Sequence, residues 1–175
     1  TYGCNALYRD FSPDFLILAS QSIADEFAED FPNETTIGVS WTKNLLRHPG
    51  KYHLMPYNVR LCAGASAAYL ACFHGHKKIY LLGFDNQPDP GRQNNLYAGT
   101  SSYQSEQEPM PEHVFIKDMN DLMKTYNDVE FIRVQEFETY PIPEDWKWRE
   151  NFSQITYRDY ISICDLGSTL HYLKK

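Results

Sequence analysis

No run of apolar residues in this chain approaches the roughly 20 that a membrane-spanning helix requires, and no secretory signal is visible. A cytoplasmic protein is the expectation. No stretch of Lys and Arg is longer than a pair, and 23 acidic against 16 basic residues leave a formal net charge of -7, which argues against nucleic acid or an anionic membrane as the main partner. The four cysteines, Cys4, Cys62, Cys72 and Cys164, have no C-x-x-C spacing, and the six histidines form no H-x-x-x-H or H-E-x-x-H pair. No metal site is predicted, and the thiols are expected to be buried, free and in a reducing compartment. There is no G-x-G-x-x-G and no G-x-x-x-x-G-K-[ST], which removes the dinucleotide fingerprint and the P-loop. Ser101 and Ser102 lack a G-x-S-x-G context, so neither is expected to be a nucleophile.

Apolar and aromatic mass is plentiful: hydrophobic residues make up 42%, with 13 Tyr and 10 Phe, enough for a packed interior. A single domain is expected over 1–175, with 1–134 as its core and 135–175 as a C-terminal extension packing on it. The segment "FLILAS" reads as a strand buried on both faces, and "SIADEFAEDF" as a helix with Ile23, Phe27 and Phe31 on one side. "TTIGVSW" predicts another strand, "TKNLLRHPG" a short helix and "YHLMP" a further short strand. "LCAGASAAYLACFHG" predicts a helix whose small residues let it lie close against a sheet, and "KIYLLGF" follows as a strand. "PEHVFIKDMNDLMKTY" reads as a helix with Pro111 in its first turn, and "DVEFIRV" as a strand. In the tail, "YPIPEDWKWRENF" reads as aromatic coil, and "YRDYISI" and "DLGSTLHYL" as two short helices. This alternation predicts an α/β domain with a mainly parallel sheet and a ligand site at the carboxyl ends of its strands.

Several residues fall at that edge. Asp85 follows Gly83 and Phe84 at the end of the predicted strand and opens the long irregular stretch 86–111; it either accepts hydrogen bonds from a ligand or caps a turn. Gly83 would permit close approach of the ligand. Asn5 ends the segment "YGCN" and either meets a phosphate or sugar or serves as a turn residue. Gly64 lies where the free N–H groups of a helix start would bind an anion. Tyr97 and Tyr103 carry phenols suited to phosphate oxygens. His113 falls in the first turn of its helix, where the dipole favours the neutral imidazole that a base requires. The opening "TYGCNALYRDF" reads as a strand entering a loop, with more chain expected ahead of it.

Taken together, "CN", "AGASAAYLACFHGHKKIYLLGFD" and "GTSSY" resemble the small bacterial sialyltransferases of glycosyltransferase family 42, which use CMP-sialic acid, and the MptE-like pterin pyrophosphokinases grouped near them. The resemblance implies a Rossmann-like three-layer domain whose N-terminal strand and glycine-containing loop would precede Thr1. It implies that Asn5, Ala63, Gly64 and Asp85 meet a nucleotide or nucleotide-sugar, that Tyr103 binds the leaving phosphate with Tyr97 as a second phenol, and that His113 is the base. On this reading the chain is a glycosyltransferase with a glycan acceptor and no metal cofactor. The pyrophosphokinase alternative calls for Mg²⁺ beside Asp85 and Asp89, and a non-catalytic binding domain is the third reading. The oligomeric state, including a homo-oligomer, is left open.

Overall fold

The computed structural model describes residues 1–30, 35–57, 60–85, 96–104, 111–138 and 140–173. Strands β1 (Tyr2–Cys4), β2 (Phe15–Ile17), β3 (Ile37–Ser40) and β4 (His53–Leu54) form one parallel sheet in that order. Strands β5 (Lys78–Leu82), β6 (Glu130–Val134) and β7 (Phe152–Ile155) form a second, also parallel. The helices among the described residues are α1 (Gln21–Asp30), α2 (Thr42–Arg47), α3 (Ala63–Phe73), α4 (Glu112–Thr125), α5 (Glu144–Lys147) and α6 (Tyr157–Leu173), with a 3₁₀ turn at Asn5–Arg9. The chain is thus a Rossmann-like three-layer α/β fold, with its parallel ladder divided in two.

β2 illustrates the layering. Its side chains alternate between faces, so Ile17 enters the core beneath α3 while Leu16 and Leu18 enter the core beneath α1, beside Ile23, Phe27 and Tyr52. The two sheets share one core: Ile17 and Val39 of the first belong to the same packed cluster as Leu81 and Phe131 of the second. Helix α3 joins them, packing on β1, β2, β5 and α4. Every residue from Ala65 to Cys72 is buried, which explains why this helix has no polar face. Helix α4 is amphipathic instead. It buries Met119, Leu122 and Met123, each contributing roughly 1.5–3 kcal/mol, and leaves Lys117 and Lys124 in water.

The tail departs from expectation. Residues 152–155, of which Phe152 closes the stretch expected to be coil and the others fall in no expected element, are a strand in register with β6, where Phe152 and Ile155 bury partly and the Gln154 amide donates to backbone carbonyls. The segments "YRDYISI" and "DLGSTLHYL" form one helix, α6, not two. Its start is a capping box: the Asp159 N–H donates to Thr156 Oγ1 at 3.2 Å, and the Thr156 N–H donates to Asp159 Oδ2 at 3.3 Å. Ahead of β7, inside the stretch expected to be coil, the short helix α5 inserts Trp146, fully buried, with its indole N–H donating to the Ile116 carbonyl at 3.0 Å. Of the four thiols expected to be buried, Cys72 is, Cys4 and Cys62 are half-buried, and Cys164 is exposed. No helix among the described residues is long and apolar enough to cross a membrane.

Candidate functional site

Three strand-end segments supply most of the anticipated residues. Asn5 follows β1 directly, with a left-handed φ of 49°, and its Oδ1 accepts the Ala19 N–H at 3.2 Å, tying the end of β1 to the loop after β2. Ala63 and Gly64 open α3. A Cβ on Gly64 would lie 3.2 Å from the Phe84 ring, so the helix start rests against the segment that leaves β5. Gly83 turns that segment with a φ of 74°, and an added Cβ there would meet nothing within 4 Å. The glycine is therefore required by backbone conformation, not by a neighbouring atom. Asp85 follows, half-buried. The Cys4 and Cys62 thiols are close enough to interact electrostatically, which brings the carboxyl end of β1 to the opening of α3; burial pushes them up to about 11 and about 12.

Helix α3 has a polar reinforcement at this end. Buried Asp118 on α4 accepts the Cys62 N–H at 2.6 Å. The amides of Ala63, Gly64 and Ala65 have no acceptor within the helix, as in any first turn.

Tyr97 and Tyr103 occupy a second group. A bridge between Thr100 and Tyr103 closes a small turn, and the two rings lie 6.2 Å apart. They pack near the core under α1, where Arg9 lies 5.4 Å from the Tyr97 ring centre and donates to Thr100 Oγ1 at 2.7 Å. Arg9 is anchored on Glu26 through two bonds, Nε to Oε1 at 2.8 Å and Nη2 to Oε2 at 2.7 Å. Tyr8 and Ser101 also donate to Glu26. The Arg9 guanidinium, ahead of these hydroxyls, holds the Glu26 carboxyl down at about 2. Burial, then the Asp10 side chain, pushes the Tyr97 phenol up to about 12.

His113 is in the first turn of α4 after Pro111, as expected, and is exposed. Its position four and eight residues before Lys117 and Asp121 puts it on their solvent face. The site residues therefore fall into a strand-end group (Asn5, Ala63, Gly64, Gly83, Asp85), a tyrosine group docked on Arg9, and His113 by itself. Asn86, Asp89 and most of the long loop lie outside the described residues.

Sequence reading overlooked a further polar group at the carboxyl end of the second sheet. Arg133 on β6 and Gln154 on β7 are register partners, both buried. Arg133 Nη2 donates to the Tyr140 carbonyl at 3.0 Å and Nη1 to that of Pro141 at 3.3 Å, while the guanidinium lies 5.9 Å from the Trp146 ring centre. Its Nε and the Oε1 of Gln154 have no hydrogen-bond partner among the described residues. Burial lowers the Arg133 pKa, and Asp85 acts against it, so the aspartate is near enough to be felt. The signal was present in "EFIRV", an arginine inside an otherwise apolar strand.

No protein-family model, curated protein or solved structure matches this chain.

Proposed function

We propose that the chain binds a nucleotide or nucleotide-sugar at the carboxyl ends of β1 and β5, as the donor site of a sialyltransferase-like glycosyl transfer by direct displacement. The observation that carries this reading is the contact between Gly64 and Phe84, which sets the first turn of α3 beside the strand end bearing Asp85. Open α/β sheets bind ligands at such places, where helix amides meet phosphate and a carboxylate meets ribose or base. Asn5 adds a group that both donates and accepts. In the transfer itself the helix amides would steady the departing phosphate, and the roles of His113 as base and Tyr103 as phosphate ligand rest on the sialyltransferase resemblance alone.

Calorimetric titration of the chain with CMP, CDP, UDP, ADP and GTP tests it. One of these should bind, and Asp85→Ala should weaken it by about tenfold or more, a loss of roughly 1.4 kcal/mol. No binding by any of them overturns the reading in favour of a domain that takes no nucleotide. Affinity that rises with Mg²⁺ replaces glycosyl transfer with pyrophosphoryl transfer.

A further inference from the structure

The amino ends of the strands, opposite the edge considered above, carry a cluster that neither β1 nor α3 explains alone. Tyr2 Oη lies 2.8 Å from Nδ1 of His74 and 2.9 Å from Nε2 of His76, residues more than seventy positions along the chain. One phenol proton cannot serve two imidazole acceptors, so at least one ring nitrogen is itself a donor or must be satisfied in another way.

The geometry is held from several sides. The stretch His74-Gly75-His76 ends α3 in a Schellman motif, with the His76 N–H donating to the Ala71 carbonyl at 3.2 Å and the Gly75 N–H to that of Cys72 at 2.9 Å. Gly75 turns the backbone with a φ of 88°, which brings two histidines two positions apart to the same oxygen. The rings are fixed by stacking. Tyr2 lies parallel to Phe15 at 5.1 Å and 13°, and Phe15 in turn meets His74 at 4.7 Å. All three polar side chains reach solvent, so an ion has an entry path.

We propose that Tyr2, His74 and His76 form a binding site for a borderline divalent transition-metal ion of the Zn²⁺ or Cu²⁺ class. Two imidazole nitrogens and one phenolate oxygen suit such ions, and water completes the tetrahedron. Tetrahedral bonds of about 2.05 Å place ligand atoms roughly 3.3 Å apart. The two phenol–imidazole separations need to open by about half an ångström to meet that spacing. Burial and the charge of Asp14 both disfavour the Tyr2 phenolate in the metal-free chain, but the charge of a bound cation reverses that preference, and the phenol proton passes to solvent on binding. The H-G-H spacing escapes a search for H-x-x-x-H because a turn, not a helix face, aligns the two rings.

Calorimetric titration of the full chain with Zn²⁺, and optical titration with Cu²⁺, decide it. One ion per chain is expected. His74→Gln and His76→Gln, which keep a hydrogen-bonding side chain and so spare the fold, should each weaken Zn²⁺ binding by about tenfold or more, as loss of a ligand must cost at least what loss of its supporting shell does. Tyr2→Phe should remove a phenolate-to-copper charge-transfer band while leaving weaker binding at the two histidines. His53→Gln, outside the cluster, should change nothing. Stoichiometric binding that survives the double His74→Gln/His76→Gln change, or no binding beyond that of this double variant, overturns the proposal.

Discussion

Arg9 beside the first sheet and Arg133 within the second are two solutions to the same problem. Arg9 keeps contact with water and is met by a carboxylate on two bonds, with Tyr8, Thr100 and Ser101 around the pair. Arg133 is withdrawn completely and is met by two carbonyls, an indole face and the more distant charge of Asp85, while its Nε–H finds no partner among the described residues. Burial of a charge is costly unless it is paired and fully hydrogen-bonded. The first arrangement therefore stabilises its surroundings through an ion pair, whereas the second stabilises the strap 140–143 only by keeping the guanidinium committed to it.

The largest effect that tests this contrast is expected at Arg133. Its replacement by Ala should cost about 3–5 kcal/mol in urea unfolding, because a cavity opens under Trp146 and the strap carbonyls lose their donors. Arg133→Met, which keeps the volume, should lose at most half as much; equal losses would show that the carbonyl bonds and not the volume carry the effect. Next is Glu26→Gln, expected to cost about 1.5 kcal/mol at neutral pH. Glu26 is held at about 2 in the fold against an ordinary 4.5, so its contribution is complete above 4.5 and is lost as the pH falls towards 2. The stability gap between the native chain and Glu26→Gln should close over that interval, and a constant gap would mean that the ion pair contributes nothing. The smallest effect compares the two strand ends. Gly83→Ala should cost about 1 kcal/mol from φ alone, since space is available, while Asn5 already tolerates the same backbone region with a side chain bonded to Ala19.

Much of this architecture was readable from residue patterns, and the exceptions share a cause. β2 and α3 announce themselves through unbroken apolar runs, because they are covered on both sides; β5 does so through "IYLL", although only Leu81 of it is fully buried. β7 was missed since Ser153 and Gln154 interrupt its pattern, and buried Gln154 finds its acceptors only on distant carbonyls, those of Gln135 and Tyr140. The positions of Asn5, Gly83 and Asp85 at strand ends and of Gly64 at a helix start followed from local order. Arg9 with Glu26, and Tyr2 with His74 and His76, could not follow: each pairs residues from separate elements, and nothing within a short window records that they meet. His113 shows the opposite limit: its place in the first turn of α4 followed from local order, while its position on the solvent face shared with Lys117 says nothing of what it meets.

Helix α3 has one more consequence, for the order in which the chain acquires its shape. The four strands of the first sheet are complete by residue 54, yet the face that bears Ile17 and Val39 stays bare until residues 63–73 have been made. Synthesis from the amino terminus therefore leaves an apolar surface open for a stretch of translation, and the same helix must then wait for β5 and α4 before its far side is covered. A chain stalled between residues 73 and 125 would present its most hydrophobic helix half-dressed, a natural mark for chaperones.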